Sequence, residues 1–226
     1  MLDIIIPAYL PTEKYVYFLN RALYSLEKQT YKEFNTIIVF NGLYTDKDII
    51  IKNIKYNKNV SFYFLDGKQS AAKARNFAVK QSNAYYIAQL DADDQFHKDK
   101  IKKQIDYLEQ NKNIDFLGTL AYDFYSENQI IDSCFAPHQY ETNEQISKII
   151  LKENVMCNGS VMFKRESFNK LNGYNEQYKP GTYWPDYNRN MWEDWDLYIR
   201  AIKNNMIIHN LPERLYYWSA NTGVER

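Results

Sequence analysis

Lys+Arg and Asp+Glu each number 28 among the 226 residues, so the formal net charge is zero. A chain of this length buries a substantial core in one domain, and its balanced charge excludes bulk attraction to nucleic acid or to an anionic membrane. Two cysteines, Cys134 and Cys157, make neither a disulfide framework nor a zinc site, which points to a reduced, cytoplasmic setting. The start, Met1-Leu-Asp-Ile-Ile-Ile-Pro7, has no basic segment or long apolar run and reads as a strand rather than a signal peptide. No stretch approaches the ~18 apolar residues of a membrane span, which leaves peripheral attachment to the inner face of a membrane open. The 21 tyrosines suit carbohydrate binding, and equally suit half-buried positions in a protein from an AT-rich genome.

Leu2–Ile6 is a short apolar strand that Pro7-Ala8-Tyr9 should end. Thr12 caps a helix whose inward face is Val16, Leu19, Leu23 and Leu26. Phe34–Phe40 is a second strand, broken by Asn41-Gly42, and a short helix follows from Thr45. A third strand spans Asn59–Leu65, and a helix runs from Ser70 to Ser82. The fourth strand, Ala84–Leu90, leads into Asp91-Ala92-Asp93-Asp94. Such alternation implies right-handed βαβ crossovers and a mostly parallel sheet flanked by helices, with ligands bound at the carboxyl ends of its strands.

Beyond Lys98 the pattern is less regular. A helix to Gln110 precedes two strands of a hairpin-like element, Ile114–Tyr125 and Gln129–Phe135. Thr142-Asn-Glu-Gln145 has capping-box form and turns Ile146, Ile149 and Ile150 inward. Asn158–Phe163 reads as a strand, residues 174–191 as a long loop, and Glu193–Lys203 as a helix. Met206–His209 and Leu215–Ser219 close the chain as short strands. The whole is expected to be one α/β domain, with regular alternation over 1–97 and a less regular part over 98–226.

Crowded carboxylates at a strand end call for a cation. A hard divalent ion, Mg²⁺ or Mn²⁺, is commonly held by one or two carboxylates plus the phosphates of a substrate. The competing reading is a solvated acidic turn capping the next helix. Neither a glycine-rich dinucleotide turn nor a P-loop is present, so any nucleotide phosphates must be neutralised by such a metal, assisted by Lys73 and Arg75 on the preceding helix.

The chain resembles the family 2 glycosyltransferases of the GT-A fold over nearly its whole length. Carrying that likeness are Ile4-Ile-Ile-Pro-Ala-Tyr9, Ser70-Ala-Ala-Lys-Ala-Arg-Asn76, Tyr85–Asp94, Asn158-Gly-Ser-Val-Met-Phe-Lys-Arg165, Gly173-Tyr174 and Trp192–Arg200, in that order. The resemblance implies a metal-dependent, inverting hexosyltransferase acting on a UDP-linked sugar and a hydroxyl of a glycan or glycolipid. Asp91 would meet the ribose with Ala92 beside it. Asp93 would bind the metal, with Asp94 in support. Pro7, Ala8 and Tyr9 would line the base. Asn41 stands where many members place an acid that bonds uracil, and an amide offers a different set of hydrogen-bonding atoms. Asp194, beside Glu193, would be the catalytic base, and Trp192 and Trp195 are candidates for packing on a sugar. A C-terminal metal-binding His common in the family is replaced by Tyr216-Tyr-Trp-Ser219. His97, His138 and His209 have no ligand spacing. Two rivals remain, a sugar-nucleotide or glycan binding module without catalysis and a nucleotidyltransferase. Acids in a first helical turn, as at 193 and 194, are also stabilised by the helix dipole alone.

Overall fold

The computed structural model describes residues 1–56, 58–126, 128–132, 140–177, 183–184, 189–190 and 192–220. In chain order, β1 is Leu2–Leu10, α1 Glu13–Glu27, β2 Phe34–Leu43, α2 Lys47–Asn53, β3 Val60–Phe64, α3 Ala71–Gln81, β4 Tyr86–Gln89, β5 Gln95–Phe96 and α4 Lys100–Gln110. There follow β6 Phe116–Ser126, β7 Gln129–Asp132, α5 Asn143–Ile149, β8 Met162–Lys164, α6 Arg165–Lys170, β9 Tyr183–Trp184, β10 Arg189–Asn190, α7 Glu193–Lys203 and β11 Ile208–Ser219.

One mixed sheet organises these elements, in the order β3-β2-β1-β4-β8-β6-β11-β5, with β7 paired to β6 beyond the short stretch that meets β8. The first four strands are parallel. Strand β8 runs antiparallel between β4 and β6, and β6 and β11 are parallel to each other. Chain order reverses at β1, which has β2 on one side and β4 on the other. The crevice between the carboxyl ends of β1 and β4 is therefore the topological switch point, where open α/β sheets bind ligands.

Alternation along β1 divides the core. Ile4, Ile6 and Ala8 face the layer of α1 and α4, with Leu19, Leu23, Ile101 and Leu108. Ile5 faces the opposite layer, with Ala74 and Ala78 of α3 and Leu197 and Ala201 of α7. Both faces are covered, as the continuous apolar runs of β1 and β2 require.

Several expected boundaries differ. Pro7-Ala8-Tyr9 lies within β1, whose pairing with β2 continues through Ala8↔Phe40 and resumes at Leu10↔Leu43 after a bulge. Asn41-Gly42 is the other side of that bulge rather than a strand end. Gly42 takes φ +140 there, and a Cβ on it would lie 2.8 Å from the Tyr9 ring. Asn158–Ser160 is a 3-10 turn, so of the expected strand only Met162 and Phe163 belong to β8. The two expected C-terminal strands are one, β11, which absorbs Pro212 and Glu213 as bulges between Leu211 and Tyr216. Elements β5 and α6 were not foreseen, being two and six residues long. The Thr142 capping box forms as read. Thr12 precedes α1 but makes no side-chain cap bond. Residues Cys134 and His138, the end of the Gln129–Phe135 reading and much of the 174–191 loop lie outside the described residues. Within that loop β9 and β10 pair antiparallel.

Candidate active site

Strand β4 delivers Leu90 and the acids to the carboxyl edge of the sheet. Each acid then meets a different partner. Asp91 accepts a hydrogen bond from Arg75 Nη2 at 2.7 Å. Asp94 is fully buried, and its two oxygens take the Tyr216 hydroxyl and the Ser219 backbone N–H, both at 2.7 Å. Asp93 is partly exposed, and its backbone carbonyl accepts from Arg21 Nη2 at 2.7 Å and Ser219 Oγ at 2.5 Å. The cluster is therefore divided, with Asp94 turned into the protein and Asp91 and Asp93 partly exposed. The stretch 216–219 holds this cluster from behind through a hydroxyl and an amide instead of a histidine.

Arg75 joins the two halves of the chain. Its side chain is 7% exposed and bridges Asp91 to Glu193 Oε1, the latter at 3.0 Å. Burial works against its charge, but Asp91, Tyr174 and Glu193 outweigh that and hold its pKa well above the ordinary value. The neighbouring Asn76 clamps Tyr174 from both sides, donating to its carbonyl and accepting from its N–H, each at 2.9 Å. Helix α3 thus fixes where α7 and the 173–176 segment lie relative to the acids.

Helix α7 begins with Glu193 and Asp194. The Asp194 carboxylate accepts from the Trp195 N–H at 2.8 Å and from Asn154 Nδ2 at 3.2 Å. Burial, then the charge of Glu193, raises its pKa from 3.8 to about 7, in spite of those two donors and Arg75. Such a carboxyl exchanges a proton near neutral pH, the property a general base needs.

Between the acids and Asp194 lies a buried polar network. Tyr174 Oη donates to Gln89 Oε1 at 2.7 Å, and Tyr198 Oη donates to Asn158 Oδ1 at 2.7 Å. Next to Asn158, Gly159 leaves room for Tyr216, since a Cβ there would stand 2.0 Å from the tyrosine oxygen. Cys157 is buried, which lifts its thiol to about 12 with help from Asp94 and Asp91, so it packs as a neutral group.

Of the other residues singled out from sequence, Ala8 is buried in the core and Tyr9 is partly exposed beside Gly42. Asn41 is buried, its Nδ2 donating to the Gln69 carbonyl at 2.8 Å, while its Oδ1 has no partner. Lys73 is exposed and bonds Gln69 Oε1. Trp195 is 8% exposed and donates its indole N–H to the Ile150 carbonyl at 2.6 Å, a core position, whereas Trp192 is 39% exposed. Ala92 is partly buried against the α1 side of the core. His97 and His209 stand apart from the acids, in contact with Tyr217 and Tyr107 respectively. Sequence reasoning missed Arg21, Gln89, Asn154, Tyr198 and Ser219. Their roles depend on contacts between segments distant in the chain, which neither spacing nor a quoted motif reveals.

Among the described residues, no three His, Cys, Asp or Glu side chains gather to hold a metal ion. Asp91 and Asp93, both partly exposed where β4 leaves the sheet, are the carboxylates such an ion would meet there. That donor set fits a Mg²⁺ or Mn²⁺ ion completed by diphosphate oxygens and water, not a closed protein cage. Among the described residues no helix is long and apolar enough to cross a membrane.

The model of glycosyl transferase family 2 matches residues 3–171. An uncharacterized glycosyltransferase of Methanocaldococcus jannaschii, MJ1057, is 31% identical over 97% of this chain and 73% of its own. The O-antigen biosynthesis glycosyltransferase WbnJ of Escherichia coli is 27% identical over 89% of this chain and 74% of its own. Among solved structures, S. aureus TarS 1-349 in complex with UDP-GlcNAc superposes with a TM-score of 0.74 at 19% identity, covering 99% of this chain. This chain spans 59% of that TarS fragment. The fold is that of the GT-A glycosyltransferases, and with three quarters of its length matched by the family model, the chain belongs to glycosyl transferase family 2.

Proposed function

We propose that the chain is an inverting transferase, moving a sugar from a UDP-linked donor to a hydroxyl of a glycan or glycolipid, with Asp194 as its base. The observation that carries this reading is the half-buried Asp194 carboxyl, poised at about 7 and tied through Glu193 and Arg75 to Asp91 of the acid cluster. Inversion is one in-line displacement. The acceptor oxygen attacks the anomeric carbon from one face while the nucleoside diphosphate leaves from the other. Asp194 takes the acceptor's proton during that attack. Asp91 accepts from the ribose hydroxyls, exchanging part of its bond to Arg75, and the freed guanidinium is then close to the diphosphate. Asp93 would hold the divalent ion, Mn²⁺ or Mg²⁺, which supplies charge neutralisation for the leaving group.

A uridine donor is supported by Asn41. Its buried Oδ1 lacks a partner, and an unmet acceptor of that kind costs about 1–3 kcal/mol. The imide N–H of uracil is a donor of the kind this oxygen lacks. TarS, the fold relative, was solved with UDP-GlcNAc.

The test is a panel of nucleotide sugars, screened by thermal stabilisation with and without Mn²⁺ and then by transfer. A ligand at ~100 times its dissociation constant should add about 2.7 kcal/mol. Asp194→Asn should lower transfer on the order of 10²–10⁴-fold with nucleotide binding nearly intact, and Asp93→Ala should weaken the Mn²⁺-dependent part of binding. Full transfer by both variants would sink the reading.

A further inference from the structure

We infer that Asn158 is a substrate-facing hydrogen-bond donor whose amide hydrogens take an oxygen of the transferred sugar; this rests on the transferase reading above. Asn158 opens the 3-10 turn and is held by its carboxamide oxygen. Gln89 Nε2 donates to Oδ1 at 3.1 Å and Tyr198 Oη does so at 2.7 Å, while Tyr174 Oη, 2.9 Å away, gives its one hydrogen to Gln89. Chemistry fixes which way the amide points. Gln89 Nε2 also lies 3.3 Å from the Asn158 backbone carbonyl, which can only accept, and Gln89 Oε1 takes the Tyr174 hydroxyl. Gln89 therefore donates toward Asn158, and Asn158 must present oxygen in return. A reversed amide would set two N–H groups against each other.

What remains is the other end of the side chain. No described residue takes the two Nδ2 hydrogens, and Asn158 keeps partial exposure. Its location gives those hydrogens a use. Gln89 is two residues ahead of Asp91, Tyr198 is one helical turn beyond Asp194, and Gly159 packs on the Tyr216 hydroxyl that serves Asp94. The amide thus lies on the floor between the donor-side acids and the base, where the sugar must sit during transfer. The occupant is an oxygen acceptor, a ring hydroxyl or an acyl carbonyl. An amide held through its oxygen by Gln89 and Tyr198 loses little entropy on binding it, which is how a fixed polar group confers specificity.

The experiment separates the oxygen of Asn158, which is structural, from its N–H groups. Asn158→Ala removes both, whereas Asn158→Asp restores the oxygen and not the donors. Titration calorimetry in Mn²⁺ would compare the best-binding nucleotide sugar, chosen from a panel that includes UDP-GlcNAc and UDP-glucose, with free UDP. Both variants should lose affinity for the nucleotide sugar on the order of 10-fold while affinity for UDP changes less than about 2-fold. An Asn158→Asp variant that binds the sugar nucleotide like the parent, or that loses UDP equally, overturns the assignment. So does loss of cooperative unfolding in Asn158→Asp, which would make the residue structural. A parent protein that binds no nucleotide sugar refutes the transferase reading by itself, before any variant is made, and the assignment falls with it.

Discussion

Replacing Asp194 by Asn should stabilise the protein above neutral pH while stopping its chemistry. The carboxyl has a folded-state pKa of about 7 against 3.8 when free. At about 1.36 kcal/mol per tenfold change in proton affinity, that difference amounts to ~4 kcal/mol disfavouring the charged form. The sign follows from linkage. Between 3.8 and about 7 the folded protein binds a proton that the unfolded chain has lost, so stability falls as pH rises through this window and the full cost is present above it. An Asn never ionises and escapes that cost. It still accepts from the Trp195 N–H, but its amide hydrogens now face those of Asn154, forfeiting about 1 kcal/mol, and the partial opening of Asp194 to solvent trims the rest. A net gain of about 2 kcal/mol is expected at pH 8.5, shrinking to about 0.5 kcal/mol at pH 5. Urea unfolding of both proteins at the two pH values measures it. An equal stability difference at both, or a less stable variant at pH 8.5, would refute the account of Asp194 as a carboxyl held out of water.

Three further outcomes follow from the same contacts. Asn154→Ala removes a donor to the Asp194 carboxylate, so the acidic limb of the pH–rate profile should move upward; an unmoved limb would show that Asn154 does not act through the base. Tyr216→Phe deprives buried Asp94 of its hydroxyl partner and should cost about 1–3 kcal/mol in unfolding free energy, with a value near zero contradicting the geometry. Lys100 is fully buried over the Phe96 ring and bonded to Gln104, and burial lowers its pKa from 10.5 to about 7. Its cost is complete below about 7 and disappears as pH rises toward 10.5. Lys100→Met should therefore gain about 2 kcal/mol at pH 6.5 and little at pH 10, and a gain independent of pH would be inconsistent with a charge being the cause.

The acid cluster illustrates how far a single sequence reaches. Asp91 to Asp94 at the end of an apolar run was legible because a strand must emerge from the sheet where its apolar residues stop, and parallel sheets gather ligands at that edge. The Glu193-Asp194 pair was legible as a helix start. Asn158 was misread as part of a strand, because a turn of three residues leaves no periodic trace. The bulge at Tyr9 and Gly42 was read as two strand ends, since Pro and Gly signal an interruption without revealing whether pairing resumes beyond it.

By itself, the sequence determined the alternation of strands and helices, the two-faced core of β1, the family and the places where acids leave the sheet. These are local properties, set by the spacing of apolar residues and by turn chemistry within a few positions. The tertiary structure decided what each acid does. Asp94 faces inward because Tyr216 and Ser219, more than 120 residues away, supply its donors. Asp91 meets Glu193 only through Arg75, and Asp194 acquires its raised pKa from burial that packing alone creates. A carboxylate's chemistry depends on its surroundings within a few ångströms, and here those surroundings come from segments that only the fold brings together.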